Sequence, residues 1–522
     1  MMDEIKDRTF TASDFEFAHT DDMIHDQKLD TKPVGYLRDA LRRFGKNKGA
    51  IVAACIILLL VIFAIFAPVV SQYDLSEKDT YYMNKTPYWS ALATPGFWDG
   101  GQTKEVNENM YKYLNGIAVE TGQNPILKVY DEYDVQQGKN TIHYYKIRMS
   151  TYLYVGVINT LTITPSEFAK ICEYQNETGK QVIYPYVDND AIGGLGSTAE
   201  FGGNYWYKVN NRGVAQLDEN GNYIPVYAMQ NELNALGQEK YLRYNSLRIA
   251  SDPYVEGDPL SGYAYCLEKQ GVYACRVNYY EYYRYKNGKY PNYIFGTNEY
   301  GQDILNALGK GARFSLILAV CVSFVNLLIG TIYGAIEGYY GGAADMVMER
   351  ISDILSGIPL MIVVTLFNAH LAEKVGVIPA FLLAFVATGW IGTASLVRKQ
   401  FYRFKGQEYV LAARTLGASD RAVMFKHIFP NSIGTIITSC VLVIPGVIGS
   451  ETMLTYLGIV NLANSNTTTI GVIMEQGTRC MTSTPHVLFF PALFLALLMI
   501  SFNLFGNGLR DAFNPSLRGS EG

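Results

Sequence analysis

Between Ala50 and Val70 the chain carries no charged residue, over roughly the ~20 residues that an α-helix needs to cross the core of a bilayer. In lipid, backbone N–H and C=O groups must be satisfied within the segment, so an apolar run of this length is committed to being a helix. Five more runs follow, at Phe314–Ile336, Ile354–Ala372, Val375–Val397, Ile433–Ser450 and His486–Phe505. The expected fold is an all-α polytopic membrane protein with six transmembrane helices.

The 522 residues are 49% hydrophobic and only 17% charged, with the apolar content clustered, as in membrane proteins. A net charge of -5 leaves no basic footprint for nucleic acid. The sequence has no phosphate loop, HExxH or GxSxG pattern, and its six histidines are scattered. No catalytic residue and no metal-ligand set is therefore expected, and any energy source must lie outside the chain.

Orientation follows from the distribution of Lys and Arg. Arg38, Arg42, Arg43, Lys46 and Lys48 precede the first run and hold its N-terminal side in the cytoplasm. Residues 1–33 are acidic and aperiodic, and are expected to form a flexible cytoplasmic tail. Within 34–70, Gly35–Lys48 reads equally as a surface helix and as a basic flank of the first span. Six crossings return the 519–522 tail to the cytoplasm. They also place the 398–431 loop inside, where Arg398, Lys399, Arg403, Lys405, Arg414, Arg421 and Lys426 face only Glu408 and Asp420. Between the third and fourth runs only Glu373 and Lys374 remain for a turn, so those helices are expected to be antiparallel neighbours. The spans hold almost no charge, which argues against an ion-coupled transporter.

Residues 71–293 contain no further run but 32 of the chain's 40 tyrosines. With alternation over Thr141–Val157 and a hairpin pattern over Cys266–Lys289, they are expected to form a large inserted extracellular domain, α+β or mainly β, with one helix at Tyr227–Tyr244. Tyrosines in such strands more often pack on neighbours than bind peptides. Cys266 and Cys275 flank Glu-Lys-Gln-Gly, a spacing that fits a hairpin disulfide and two separate thiols alike.

The stretch Glu408–Asn431 is polar and lies between two spans. Glu408–Leu416 consists of strong helix formers, and Gly417 stands where a left-handed cap would end that helix. Ser419 and Asp420 can start a second helix, Arg421–Phe429, which Pro430 is expected to stop. Val410, Leu411, Ala412, Ala413 and Leu416 leave a small-residue face on which another protein's backbone could come close.

This stretch resembles the loop of permease subunits of ATP-binding-cassette importers, with the pattern E-A-A, three residues, G, nine residues, I-x-L-P. Ala412, Ala413, Gly417 and Pro430 match it, while Leu411, His427 and Phe429 depart from it. Phe295-Gly296-Thr297, Gly301, Asp303 and Gly311–Leu316 are similar to the F-G-T-D-x-x-G-R-D…G-A-R-x-S-L segment of the C-type permeases of dipeptide and oligopeptide transporters, with Asn298 and Gln302 departing. Gly338–Gly342, Asp345, Arg350, Asp353, Pro359, Glu451–Gly458 and Phe502–Arg518 resemble the same group, as do Arg42-Arg43, Phe66-Ala67-Pro68 and Tyr73-Asp74. The permease core is thus expected at 294–518, with 71–293 outside any resemblance.

The resemblance implies a type I importer permease fold in a bacterial cell membrane. It implies a homologous second permease, two cytoplasmic ATPases that hold ATP and Mg, an extracellular solute-binding protein, and a peptide cargo. Closely similar subunits carry nickel chelates or other small solutes. In such a permease Glu408, Leu411, Ala412, Ala413, Gly417 and Ala418 would meet an ATPase, with Glu408 standing in for the glutamate that Leu411 replaces. Thr365, Asn368 and His370 either line the translocation path or bond between helices. Pro359 and Pro445 are expected to kink helices, and Gly446 and Gly449 to permit close packing. A membrane-anchored receptor would need the large insert but not the 408–431 loop.

Overall fold

The computed structural model describes residues 36–71, 73–138, 140–187, 207–208, 210, 215–227, 263, 265–460 and 468–513. Among them, five helices are long and apolar enough to cross a membrane, and six spans result if one bent pair counts as a span.

Helix α1 (Tyr36–Phe44) is followed by Asn47, whose carboxamide oxygen accepts from the Ala50 N–H at 3.1 Å and starts α2 (Lys48–Val70). Inward-facing Ala50, Ala53, Ala64 and Ala67 line one side of α2, while Leu58, Leu59, Ile62 and Ile65 are exposed. Small residues let helix backbones approach, and the branched chains suit a lipid surface.

Two antiparallel sheets separate the first span from the rest. The first contains β1 (Gly101–Asn107), β2 (Ile126–Gln137) and β3 (Asn140–Ser150) in the order β1-β3-β2. Its cover is α3 (Glu108–Thr121), which buries Leu114 and Ile117 with Ile147 and Met149. In the second, β7 (Val272–Asn278) pairs with β4 (Val157–Ile163), β5 (Ile183–Tyr184) and β6 (Cys266–Lys269). Helix α4 (Pro165–Thr178) buries Phe168 and Ile171 in that sheet's core. This mixture agrees with the α+β expectation. The helix expected at Tyr227–Tyr244 lies, after Tyr227, outside the described residues.

The expected hairpin begins as foreseen and ends differently. Gln270 and Gly271 have φ of 50° and 81°, the paired positive values of a two-residue turn between twisted strands. Past Asn278 the tyrosine run is a helix, α5 (Tyr279–Asn287), because Asn278 accepts from the Tyr280 N–H and Gly288 adopts a left-handed φ of 69° at its end. Alternation could not show this, since both faces of the run are tyrosine. Tyr82, Tyr152, Tyr265, Tyr273, Tyr279 and Tyr283 are buried in one core, so these tyrosines serve packing. Cys266 and Cys275 are direct cross-strand partners in the hairpin, both wholly buried, and the structure holds them as thiols.

The membrane part resumes with α6 (Ile304–Tyr340), followed by α7 (Gly342–Ser356), α8 (Leu360–Val375), α9 (Val377–Gly389) and α10 (Ile391–Lys405). After a short α11 (Glu408–Thr415) come α12 (Asp420–Tyr456), α13 (Ile470–Arg479) and α14 (His486–Phe513). The third run, expected at Ile354–Ala372, is bent at Pro359, as that residue's kink was expected to make it. Helices α7 and α8 meet at 75°, because Pro359 biases Ile358 away from helical backbone and has no N–H to continue the ladder. The α8–α9 turn also differs: Glu373 and Lys374 stay helical, and Gly376 alone reverses the chain with a φ of 91°. The α8 and α9 helices are adjacent, as foreseen.

Gly330, Gly334 and Gly338 form a ridge on α6 against α10. A Cβ on Gly334 would stand 2.2 Å from the Ala394 carbonyl oxygen, and one on Gly338 2.7 Å from that of Arg398. The expectation for Gly446 is corrected, since a Cβ there would meet nothing within 4 Å; at Gly449 it would touch Met499 at 3.4 Å.

Phe295–Asp303 sews the sheets to α6. Asp303 caps α6 by accepting from the Leu305 and Asn306 N–H groups, and Ser71 Oγ donates to it at 2.5 Å. Burial pushes the Asp303 carboxyl up to about 6 against those hydrogen bonds. Thr297 Oγ1 donates to the Tyr82 carbonyl at 2.5 Å, and Trp98 Nε1 to that of Ile294 at 2.7 Å.

Candidate functional site

Helix α11 presents two unlike faces. Val410 and Ala413 point inward, Val410 into a cluster with Phe401, Val423, Met424 and Ile428. Glu408, Leu411 and Ala412 are exposed, and Leu416 at its end is 88% exposed. Phe425, on the next helix, is exposed too. A Leu held this far out at the end of a short helix is an apolar anchor without a partner among the described residues.

The helix end is built as its sequence indicates. Gly417 has a φ of 83°; its N–H donates to the Arg414 carbonyl at 2.9 Å, and that of Ala418 to Ala413 at 3.0 Å. These two bonds satisfy the last carbonyls of the helix. Ser419 then accepts from the Ala422 N–H at 3.4 Å and starts α12.

Pro430 does not stop that helix. The stretch Val423–Ile428 widens to a π-helix, and the ladder continues through Phe429 and Pro430 to Tyr456. A wider turn moves the preceding carbonyls out of the way of the proline ring, and the missing N–H then costs no bond of the normal ladder.

The loop is fastened to the spans by polar contacts. Tyr339, at the end of α6, donates its hydroxyl to Asp420 Oδ1 at 2.6 Å, while the Arg414 guanidinium lies over its ring at 5.1 Å. Arg398 on α10 reaches Asp345 at 2.6 Å and Glu349 at 2.7 Å, both on α7, and Glu337 on α6 at 3.6 Å. Tyr402 donates to Asp345 at 2.5 Å and Lys405 to the Gly338 carbonyl at 3.0 Å. One arginine thus holds three carboxylates from two helices.

The three path candidates are not brought together. On α8, Thr365 and Asn368 lie one turn apart on one side, whereas His370 falls on the opposite side. Thr365 is exposed and returns its hydroxyl to the Met361 carbonyl at 2.8 Å; Asn368 is half-buried and His370 exposed. The bond at Thr365 is within its own helix.

Sequence reasoning missed Glu451. It is wholly buried, accepts from Ser315 Oγ at 2.7 Å on α6 and from Thr455 Oγ1 at 3.3 Å, and lies inside α12. The apolar run Ile433–Ser450 ends one residue before this carboxyl, although an ionisable group at the edge of an apolar run is itself a signal.

Comparison with known proteins bears on both parts of the chain. The family profile "Binding-protein-dependent transport system inner membrane component" matches residues 326–519, and "N-terminal TM domain of oligopeptide transport permease C" matches residues 35–87. The chain is 41% identical over 224 residues to the oligopeptide transport system permease protein OppC of Bacillus subtilis, covering 43% of this chain and 72% of that one. It is 39% identical over 225 residues to the dipeptide transport system permease protein DppC of the same organism, covering 43% and 69%. A solved structure of the MetNI methionine ABC transporter, in an inward-facing conformation, is similar at 17% identity and a TM-score of 0.33, covering 40% of this chain and 96% of that one.

Proposed function

Because this chain belongs to the binding-protein-dependent transport permeases, in their oligopeptide and dipeptide C-type branch, we propose that it forms half of the pathway of an ATP-driven peptide importer. A second, homologous permease would complete the pathway. ATP hydrolysis would belong to two cytoplasmic ATPases, and an extracellular solute-binding protein would deliver the cargo.

The observation that carries this reading is the outward face of α11. Leu411 and Leu416 are exposed on a helix whose other face is buried and whose C-terminal end is capped, an arrangement that suits insertion into a groove of another protein. Tyr339, Arg414 and Asp420 would carry its displacement to α6. In this reading residues 71–293 face outward, receive the binding protein and guide cargo. On that side a disulfide donor could oxidise Cys266 and Cys275 to a bridge; trypsin would cut at Lys269 between them and leave two fragments joined until reduction.

The test is co-purification with the ATPases and ATP-dependent peptide uptake in the assembled complex. Leu411→Asp lies on an exposed position, so the variant is expected to fold but to bind the ATPases roughly tenfold or more weakly, about 1.4 kcal/mol. Glu408→Ala is expected to weaken assembly less. Unchanged assembly and uptake in both variants would refute the coupling role.

A further inference from the structure

A cleft of about 440 Å³ opens where the inserted sheets meet the loop before α14. One wall is Asn84 and Lys85, another is Lys104 on β1, and the third is Thr482–Thr484; Thr151 and Tyr154 add further hydroxyls. The residues around this cleft include two lysines, several hydroxyls and two amides, and no carboxylate.

The site is rigidly built. Asn84 donates its N–H to the Asn298 carbonyl at 2.9 Å, Lys85 donates its N–H to Thr297 Oγ1 at 2.8 Å, and Thr297 returns its own N–H to the Lys85 carbonyl at 3.0 Å. Across the cleft, Gln102 Nε2 donates to the Ser483 carbonyl at 2.9 Å and closes the seam.

Its Thr151, Ser483 and Thr484 hydroxyls are hydrogen-bonded to nearby groups, but its two ammonium groups have no carboxylate, and the Lys85 ammonium has only the Tyr82 ring, 5.9 Å away. Among the described residues, neither Lys85 nor Lys104 makes an ion pair within 4 Å, although Lys85 is largely enclosed. Burial, with the like charge of Lys104, pulls the Lys85 ammonium down to about 8, and Asp79 opposes this only in part. Asn84 stands at a φ of 53°, a left-handed value uncommon outside glycine, and its buried Oδ1 has no hydrogen-bond partner. A ligand with an anionic group beside an N–H donor would satisfy the lysines and this acceptor together.

A carboxylate with an adjacent peptide N–H is the C-terminus of a peptide. We infer that this cleft receives the C-terminal carboxylate of a peptide, with Lys85 and Lys104 on the carboxylate and Asn84 Oδ1 on the last peptide N–H. The inference rests on the peptide-importer reading and names, within this chain, a contact for the cargo on its way to the spans. A cleft of this size holds the last few residues of a peptide and not a folded domain.

The experiment uses the full chain in lipid nanodiscs and follows the rate at which an amine-acylating reagent modifies Lys85 at pH 8, by mass spectrometry, with exposed Lys128 as the internal reference. Trialanine is expected to slow labelling of Lys85 severalfold and saturably, while trialanine amide, which lacks the carboxylate, leaves it unchanged. Lys104→Met, on an exposed position of an edge strand, is expected to raise the concentration of trialanine needed by roughly tenfold. Equal protection by the amide, or no protection by either peptide, overturns the inference. Protection by the solute-binding protein without any by trialanine overturns it also, and assigns the cleft to docking. Uptake by the assembled complex is scored separately: loss of protection with uptake intact refutes this cleft and leaves the importer reading standing.

Discussion

Asn298 and Gln302 are the two positions where the Phe295–Asp303 segment leaves the pattern it otherwise resembles, and they leave it together. In that pattern an acid and an arginine occupy these places; here Asn298 Nδ2 donates to Gln302 Oε1 at 3.0 Å and to Gln476 Oε1 at 3.1 Å, while Asn298 Oδ1 accepts from the Tyr300 and Gln302 N–H groups. A neutral amide pair stands where the pattern has an acid and an arginine. Asn298→Asp alone would bury an acid against two amide oxygens and is expected to cost about 1–3 kcal/mol. Adding Gln302→Arg should recover most of that loss in a double-mutant cycle of thermal stability; strictly additive effects would sink the idea. The sequence showed both departures but not their proximity, since spacing alone does not say that a turn at Gly301 brings them together. Glu451 was hidden for a different reason: besides Thr455 one turn on in its own helix, its hydroxyl partners are Ser315 on α6 and a loop threonine, both remote in sequence.

At the scale of the element, α6 meets α10 glycine against backbone. Gly330, Gly334 and Gly338 recur every fourth residue, a spacing that was readable in advance, yet only the α6–α10 pairing shows what it serves. Gly334→Val is expected to prevent folding or to lower the melting temperature by several degrees, whereas Gly446→Val, with open space around it, should be tolerated. Similar melting of the two variants in detergent would contradict this account. The cap at Gly417 was legible because a left-handed turn leaves a local signature. The passage through Pro430 was not, because the wider π turn that absorbs the proline comes from packing of Val423, Met424 and Ile428 rather than from local preference.

For the whole molecule, the membrane part was the most legible, since lipid leaves a chain few ways to satisfy its backbone. The bend at Pro359 was foreseen; the short α8 that it leaves is the main departure, and both follow from one imino acid within an otherwise uniform apolar run. The insert was legible only in kind. Its core is made of tyrosine, which suits strand and helix faces equally, so composition announced β-structure while α5 formed from the same residues. The proposed sidedness predicts that a membrane-impermeant amine reagent added to intact cells modifies Lys128 in β2 and spares Lys426 until the cells are permeabilised. Labelling of Lys426 in intact cells would invert the topology.

The continuous course of α12, 37 residues from Asp420 to Tyr456 with Pro430 and Pro445 inside it, has a mechanical meaning. At 1.5 Å per residue such a rod is about 55 Å long. Its lower end is pinned beside Tyr339 and its upper part carries Glu451 against Ser315. A tilt of about 5° at one end therefore sweeps the other by roughly 5 Å, close to the pitch of one helical turn. Had Pro430 broken the helix, that angle would have been spent in a hinge; in the proposed coupling, a small rotation at the loop would arrive at the far end of the helix as a step large enough to exchange one side-chain packing for the next.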